Sequence, residues 1–219
     1  MTKAEKELRQ AIIDKCLWMN ATGLNQGTSG NISARYRNQM LITPSGIPYE
    51  QLKPEMIASM PLEGEYGNWE GPMKPSTEWR FHLDIIKSRL QVNGVVHTHS
   101  TYATTIAITG RGIPACHYMI AAAGGPTIRC APYARYGTEE LSQYALEALE
   151  DRNCCLLANH GMIATGTSLD KAMWLAVELE TISKQYYHSL LIGGPNILTD
   201  SQIDETIRSF STYGLQDPK

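Results

Sequence analysis

A chain of 219 residues, 42% hydrophobic and 19% charged, has the composition of an ordinary globular protein, and residues 1–219 are expected to form one well-buried domain. A formal net charge of -3 with no Lys/Arg run argues against a nucleic-acid surface, so the expected partners are small molecules and copies of the chain. A charged N-terminal stretch and the lack of any apolar segment long enough to span a bilayer exclude a signal peptide and a membrane partner, and a cytoplasmic location is expected.

Thr2 with Glu5 forms a capping-box pattern, and Leu8, Ile12, Cys16 and Met19 then recur at helical spacing up to Gly23. A glycine-rich turn leads into a strand over 32–36, and Arg37-Asn-Gln turns it into a second strand over 40–43, a hairpin ended by Pro44-Ser45-Gly46. A further strand is expected over 56–60, followed by a surface loop over 61–74 rich in Gly, Glu and Pro. Ser76 then reads as the N-cap of a helix whose buried face carries Trp79, His82, Ile86 and Leu90.

Gly94 to His99 is a β-branched run and the next strand, after which Ser100 can cap a short helix reaching Thr109-Gly110. Residues 113–120 are apolar, and the Ala/Gly turn at 121–126 suits close backbone approach. Thr138 caps a helix with the stripe Leu141, Tyr144, Ala145, Ala148 and Leu149. Two strands follow, one running from Cys154 to His160 and one over 162–165, then the longest helix over 169–191, stopped by Gly193-Gly194-Pro195. Thr199 or Asp200 caps a last helix, with Tyr213 at its exit. Strands that follow one another without a crossover helix call for a mixed or antiparallel sheet with helices on its faces.

In a strand, residues i and i+2 share a face, so His97 and His99 project side by side as half of a metal site; alternatively they are ordinary partly buried histidines. His160, at the end of an apolar strand and followed by glycine, is the best third ligand, and three histidines with an open position form a catalytic rather than a structural zinc site. His82 and His188 lie on helices and read as structural histidines, whereas His117 is open to either reading. The five cysteines, at 16, 116, 130, 154 and 155, form no CxxC pair and are expected to be free, mostly buried thiols.

Glu78 is the candidate acid or base, against the simpler reading that it only complements a helix dipole. Gly27-Thr-Ser-Gly-Asn31, Ser45-Gly46 and Ser76-Thr77 place glycine and hydroxyl residues at element ends, where backbone N–H groups and a helix N-terminus can hold a phosphate without lysine. None of them fits a P-loop or a GxGxxG fingerprint. The combination points to a small phosphate ester beside a metal and a carboxylate.

Residues 23–31 (Gly-Leu-Asn-Gln-Gly-Thr-Ser-Gly-Asn), 41–49 (Leu-Ile-Thr-Pro-Ser-Gly-Ile-Pro-Tyr), 76–82 (Ser-Thr-Glu-Trp-Arg-Phe-His), 95–99 (Val-Val-His-Thr-His) and 117–125 (His-Tyr-Met-Ile-Ala-Ala-Ala-Gly-Gly) resemble the class II aldolase/adducin family in order. Cys-Ala-Pro-Tyr at 130–133, His160-Gly161 and Thr-Tyr-Gly-Leu at 212–215 extend the resemblance over nearly the whole chain. It implies a three-layer α/β/α subunit around a mixed, largely antiparallel sheet, assembled as a homotetramer with active sites between neighbours.

The resemblance further implies one Zn2+ per subunit on His97, His99 and His160, with Glu78 as the acid/base that also approaches the metal. It places the phosphate of a sugar substrate on Gly30, Asn31, Ser45, Gly46, Ser76 and Thr77. Tyr118 and Tyr213 match tyrosines used near the aldehyde and in proton transfer across the subunit interface. The implied reaction is aldol cleavage of a deoxyketose 1-phosphate to dihydroxyacetone phosphate and a short aldehyde. The alternatives are a lyase of the same family that eliminates water, a non-catalytic adducin-like assembly module, and a zinc hydrolase or hydratase built on the histidines. Tyr136 stands where an apolar aromatic is expected, which leaves the aldehyde half open.

Overall fold

Period-two alternation of apolar residues decides the architecture, because both faces of the sheet must be covered. The structure, a computed structural model, describes residues 1–210. Its strands are β1 (Asn31–Tyr36), β2 (Gln39–Ile42), β3 (Ala58–Pro61), β4 (Gly94–Thr98), β5 (Cys130–Ala131), β6 (Cys154–Leu157) and β7 (Gly161–Gly166). They form one seven-stranded sheet in the order β3-β2-β1-β4-β7-β6-β5. All neighbouring pairs are antiparallel except β5 with β6, which is parallel.

The helices are α1 (Lys3–Thr22), α2 (Trp79–Ser88), α3 (Thr101–Ile108), α4 (Glu139–Ala148), α5 (Leu169–Leu191) and α6 (Asp200–Ser209). On one face of the sheet, Ile32, Leu41, Val96, Leu156 and Met162 join Ile12 of α1, Ala103 of α3 and Leu179 of α5 in one buried cluster. Their alternate neighbours Met40, Ile42, Val95, Cys155 and Ile163 join Phe81 and Ile85 of α2 and Leu141 of α4 in a second. The result is the expected three-layer α/β/α subunit. Full burial of each such Leu, Ile or Phe stabilises the fold by roughly 1.5–3 kcal/mol. No helix among the described residues is long and apolar enough to cross a membrane.

Capping bears out much of the chain-order reading. Thr2 accepts from the Glu5 amide, Thr138 from Leu141 and Ser168 from Lys171, while Thr199 and Gln202 form a reciprocal capping box. Ser76 is a correction. Its hydroxyl takes the Glu78 amide two residues on, at 3.2 Å, and helix α2 starts only at Trp79 with Glu78 in the N-cap place. The local serine turn competes with helix at that point, as short hydroxyl residues do. Leu90 lies beyond α2 and is 80% exposed, so the buried face of that helix is Phe81, His82, Leu83, Ile85 and Ile86.

Ser100 precedes α3 without a side-chain cap. The carboxylate of Glu180 on α5 takes the Tyr102 and Ala103 amides instead, at 2.9 and 2.8 Å. Strand β3 begins later than expected because Pro54–Met56 winds into a 3-10 turn. Strand β5 is too short to carry a periodic signal.

Candidate functional site

Strand β4 lies between β1 and β7 at the centre of the sheet, with His97 opposite Asn31 on one side and Ile163 on the other. His97 is fully buried. Its Nδ1–H donates to the Met162 carbonyl at 2.8 Å, which fixes the tautomer and turns the Nε2 lone pair into the site. His99, two residues on, brings its Nε2 to 3.1 Å from that of His97.

His160 arrives from the turn between β6 and β7 rather than from the strand end foreseen for it. Asn159 makes the turn with a left-handed φ of 54°, a conformation that asparagine tolerates. Gly161 then lets the chain close behind the ligands: a Cβ there would lie 2.9 Å from His99 Cδ2 and 2.5 Å from the Thr98 carbonyl. The three rings form a near-equilateral triangle, with centroids 4.9, 4.9 and 5.0 Å apart.

Glu78 closes the triangle from the N-terminus of α2. Its Oε2 is 3.2 Å from His97 Nε2 and its Oε1 is 3.0 Å from His160 Nε2. Oε1 is nonetheless buried with no aligned hydrogen-bond donor, so the carboxylate and the imidazole aim at a common centre more than at each other. Ligand atoms of Glu78, His97, His99 and His160 all lie within 4.8 Å of one another. Three imidazole nitrogens and a carboxylate at that spacing fit a divalent transition metal.

Burial alone would raise the Glu78 carboxyl, but the His97 and His160 imidazoles set against it outweigh that cost and hold the group well below the usual carboxylate range. His99 is pushed down to about 4 by burial first and then by the neighbouring imidazoles of His97 and His160. Both shifts favour the deprotonated ligand forms that a metal requires.

Behind the carboxylate runs a buried polar chain. Asn31 Nδ2 donates to Glu78 Oε2 at 2.9 Å, and its Oδ1 takes the Nε2–H of His82. His82 Nδ1 is 2.8 Å from the Ser33 hydroxyl. His82 is fully buried, and burial first, then the nearby His97 imidazole, push it down to about 3, so it is a neutral imidazole.

In front of the triangle opens a cleft of about 330 Å³ whose walls include Glu78, His99 and His160. All six residues foreseen for the phosphate, Gly30, Asn31, Ser45, Gly46, Ser76 and Thr77, line it, together with Thr28 and Ser29. The amides of Ser45 and Ser76 already donate to the Lys74 and Thr43 carbonyls, so these residues offer hydroxyls. Ser76 Oγ accepts from the Glu78 amide, which leaves its own proton to donate outward. Tyr133, Ala134, Tyr136 and Asn159 complete the opposite wall.

Tyr118 is not brought to this cleft. It is 45% exposed and lines a separate pocket with His117, Glu178 and Gln185. Tyr213 lies outside the described residues. The sequence reading did not single out Ser33, Asn25 or Tyr133 as site residues; Asn25 holds the His99 amide through its Oδ1 at 3.3 Å. Tyr133 and Asn25 stand out in the sequence only as parts of the Cys-Ala-Pro-Tyr and 23–31 motifs, and Ser33 carries no local signal.

The sequence profile of the Class II Aldolase and Adducin N-terminal domain matches residues 10–187. The chain is 49% identical over 207 residues to the 5-methylthioribulose-1-phosphate/5-deoxyribulose-1-phosphate aldolase of Rhodospirillum rubrum, covering 94% of this chain and 92% of that protein. It is 48% identical over 211 residues to the L-fuculose phosphate aldolase of Escherichia coli strain K12, covering 96% and 97%. A solved structure of an L-fuculose 1-phosphate aldolase superposes with a TM-score of 0.89 at 38% identity, covering 94% and 96% of the two chains.

Proposed function

The chain belongs to the class II aldolase and adducin family and is a metal-dependent aldolase, and on that footing we propose that it cleaves L-fuculose 1-phosphate, or a closely similar deoxyketose 1-phosphate, to dihydroxyacetone phosphate and a short aldehyde. The observation that carries this reading is the placing of Glu78 and the three histidines on the wall of a cleft whose rim is neutral glycine, serine and threonine. A hydrolase or hydratase would leave that phosphate-shaped rim without a purpose.

The rim residues Gly30, Asn31, Ser45, Gly46, Ser76 and Thr77 hold the phosphate through hydroxyls, the Asn31 side chain, backbone amides and the N-terminal end of α2. Anchored there, the three-carbon half of the substrate lies with its reacting carbons toward Glu78. His97, His99, His160 and Glu78 hold the metal, taken as one Zn2+ per subunit from the nitrogen-rich donor set. When bound, the metal supplies Lewis acidity to oxygens that gain negative charge as the carbon–carbon bond breaks.

In cleavage the substrate hydroxyl proton leaves on the aldehyde side, to the tyrosine assigned there, and Glu78, once it has taken up a proton, gives it to the carbon of the three-carbon fragment; in the reverse direction the ionised carboxylate removes that proton. The neighbouring histidines keep it ionised against the cost of burial, so it can accept a proton. No lysine is found among the described residues that line the cleft, which leaves no amine for a Schiff base. Tyr118, exposed and remote from its own cleft, is assigned to a neighbour's aldehyde in a homotetramer, with Tyr213 alongside it. The protein is assigned to the cytoplasm.

A coupled assay for dihydroxyacetone phosphate tests the reaction, since elimination of water leaves the carbon skeleton whole and produces none. Condensing dihydroxyacetone phosphate with an aldehyde panel then selects the substrate. Preference for lactaldehyde supports the fuculose reading. Preference for acetaldehyde or its methylthio analogue supports the second reading, which the Rhodospirillum rubrum relative favours. Exhaustive chelation should abolish turnover and Zn2+ should restore it; full activity after chelation would sink the metal assignment. Light scattering checks the tetramer.

A further inference from the structure

We propose that His82, backed by Ser33, is a positioning residue for the acid/base: its imidazole locks the Asn31 amide in the one orientation that presents an N–H to Glu78. The proposal rests on the role given to Glu78 above.

Two elements interleave to make the chain. Asn31 and Ser33 are i and i+2 on β1 and share one strand face, while Glu78 and His82 are four residues apart, one helical turn, at the start of α2. Every link then runs from donor to acceptor in one direction. The Ser33 hydroxyl donates to His82 Nδ1, His82 Nε2–H donates to Asn31 Oδ1, and Asn31 Nδ2–H donates to Glu78 Oε2. Ser33 and His82 are wholly buried, and Asn31 and Glu78 are 4% and 5% exposed, so bulk water cannot substitute for a lost link.

The direction matters because an asparagine amide is nearly symmetric in shape, and only its partners decide which end points where. Turned over, Asn31 would set its carbonyl oxygen against the Glu78 carboxylate, two acceptors with no proton between them. The donor on His82 forbids that state. Both ends of the Asn31 amide are therefore engaged within this chain, and its second Nδ2–H stays available to the phosphate that the family resemblance assigns to it. Loss of the lock frees Glu78 to wander, and a displacement of about 1 Å at a reacting group costs on the order of 100-fold in rate.

The experiment compares His82→Leu, His82→Gln and Ser33→Ala with the wild type, all loaded with metal. His82→Leu is expected to lower kcat by roughly 10- to 100-fold while KM, bound metal and the affinity for dihydroxyacetone phosphate stay close to wild type. His82→Gln, whose side chain can donate to Asn31, is expected to recover most of the loss. A merely structural role would instead move KM and metal content together with kcat and show no rescue by glutamine. Either that pattern or an unchanged kcat in His82→Leu overturns the proposal.

If His82→Leu does not fold, Ser33→Ala removes only the first link, and there a several-fold loss of kcat at constant KM supports the proposal while wild-type kcat overturns it. Nitrogen-15 spectra of the wild type, with the His82 signal identified by its loss in His82→Gln, give a readout that needs no turnover. The Nε2–H tautomer is expected, and the Nδ1–H tautomer overturns the chain. Should the wild type release no dihydroxyacetone phosphate from any ketose phosphate, the functional reading fails while the tautomer still decides this one.

Discussion

The two walls of the cleft are built on opposite principles. The metal wall stands on the central strand β4, on the turn into β7 and at the head of α2, with His97 fully buried and Glu78 5% exposed. Each of its groups can ionise, and His97 and Glu78 are held from behind by a backbone carbonyl and by Asn31. The phosphate rim lies on turns at element ends, where Ser45, Gly46 and Thr77 are exposed, and none of its six residues carries a formal charge. The contrast teaches a division of labour: the buried wall is fixed before substrate arrives, as chemistry requires, and the exposed rim takes its charge balance from the ligand.

If that division is real, damage to the wall should appear in turnover and metal content, and damage to the rim in KM. The largest effect is expected for His99→Ala, which removes a ligand that no neighbour replaces. Metal content and activity should both fall by more than the roughly 10–100-fold that loss of an outer hydrogen-bond partner costs. Metal analysis after dialysis checks it, and a variant that keeps full metal would put His99 outside the wall. Next comes Glu78→Gln, expected to lower kcat by about 10²–10⁴-fold while the three histidines keep the metal. Unchanged turnover with full metal would remove Glu78 from the acid/base role.

The wall was legible in the sequence for a physical reason. Strand geometry alone puts His97 and His99 on one face, and an apolar strand ending in His160-Gly161 repeats the setting. Sheet order was not legible, because β4 sits between β1 and β7 only through pairings remote in sequence. The same remoteness hid the link from Ser33 to His82, 49 residues apart. His82 itself was read as a structural histidine, which its complete burial supports, but its attachment to Asn31 and through it to Glu78 appears only when α2 lies across β1. The start of α2 was misplaced because Ser76 makes a turn with the Glu78 amide rather than a cap. The shifted start has a consequence for the site: Glu78, at the N-cap place, gives its amide to Ser76 Oγ rather than to a helical turn and directs its carboxylate at the histidines.

A smaller effect probes the rim. Ser76→Ala removes a hydroxyl whose proton is free to donate while its oxygen holds the Glu78 amide. A hydrogen bond to a charged group is worth about 1.5–3 kcal/mol, so KM should rise by roughly tenfold or more with kcat largely kept. The same variant should weaken inhibition by inorganic phosphate to a similar degree. A fall in kcat at constant KM would place Ser76 with the wall instead, acting through the Glu78 backbone.

Acid alone also separates wall from rim, in stability rather than in catalysis. An unfolded imidazole titrates near 6.5, whereas burial, reinforced by the nearby His97 imidazole, pushes His82 down to about 3 in the fold. Below about pH 6.5 the unfolded chain therefore binds a proton that the folded chain refuses, so the contribution of neutral His82 is complete above that pH. It is lost as pH falls toward the folded value, at about 1.4 kcal/mol per unit. Urea midpoints of the metal-free protein should accordingly drop between pH 6.5 and pH 3, and His82→Gln, with nothing to titrate at that place, should show a shallower drop. Ser76→Ala should follow the wild-type slope at every pH, since the rim offers no group that ionises in this window. A slope that flattens in Ser76→Ala, or stays unchanged in His82→Gln, would erase the distinction between a titratable wall and a neutral rim.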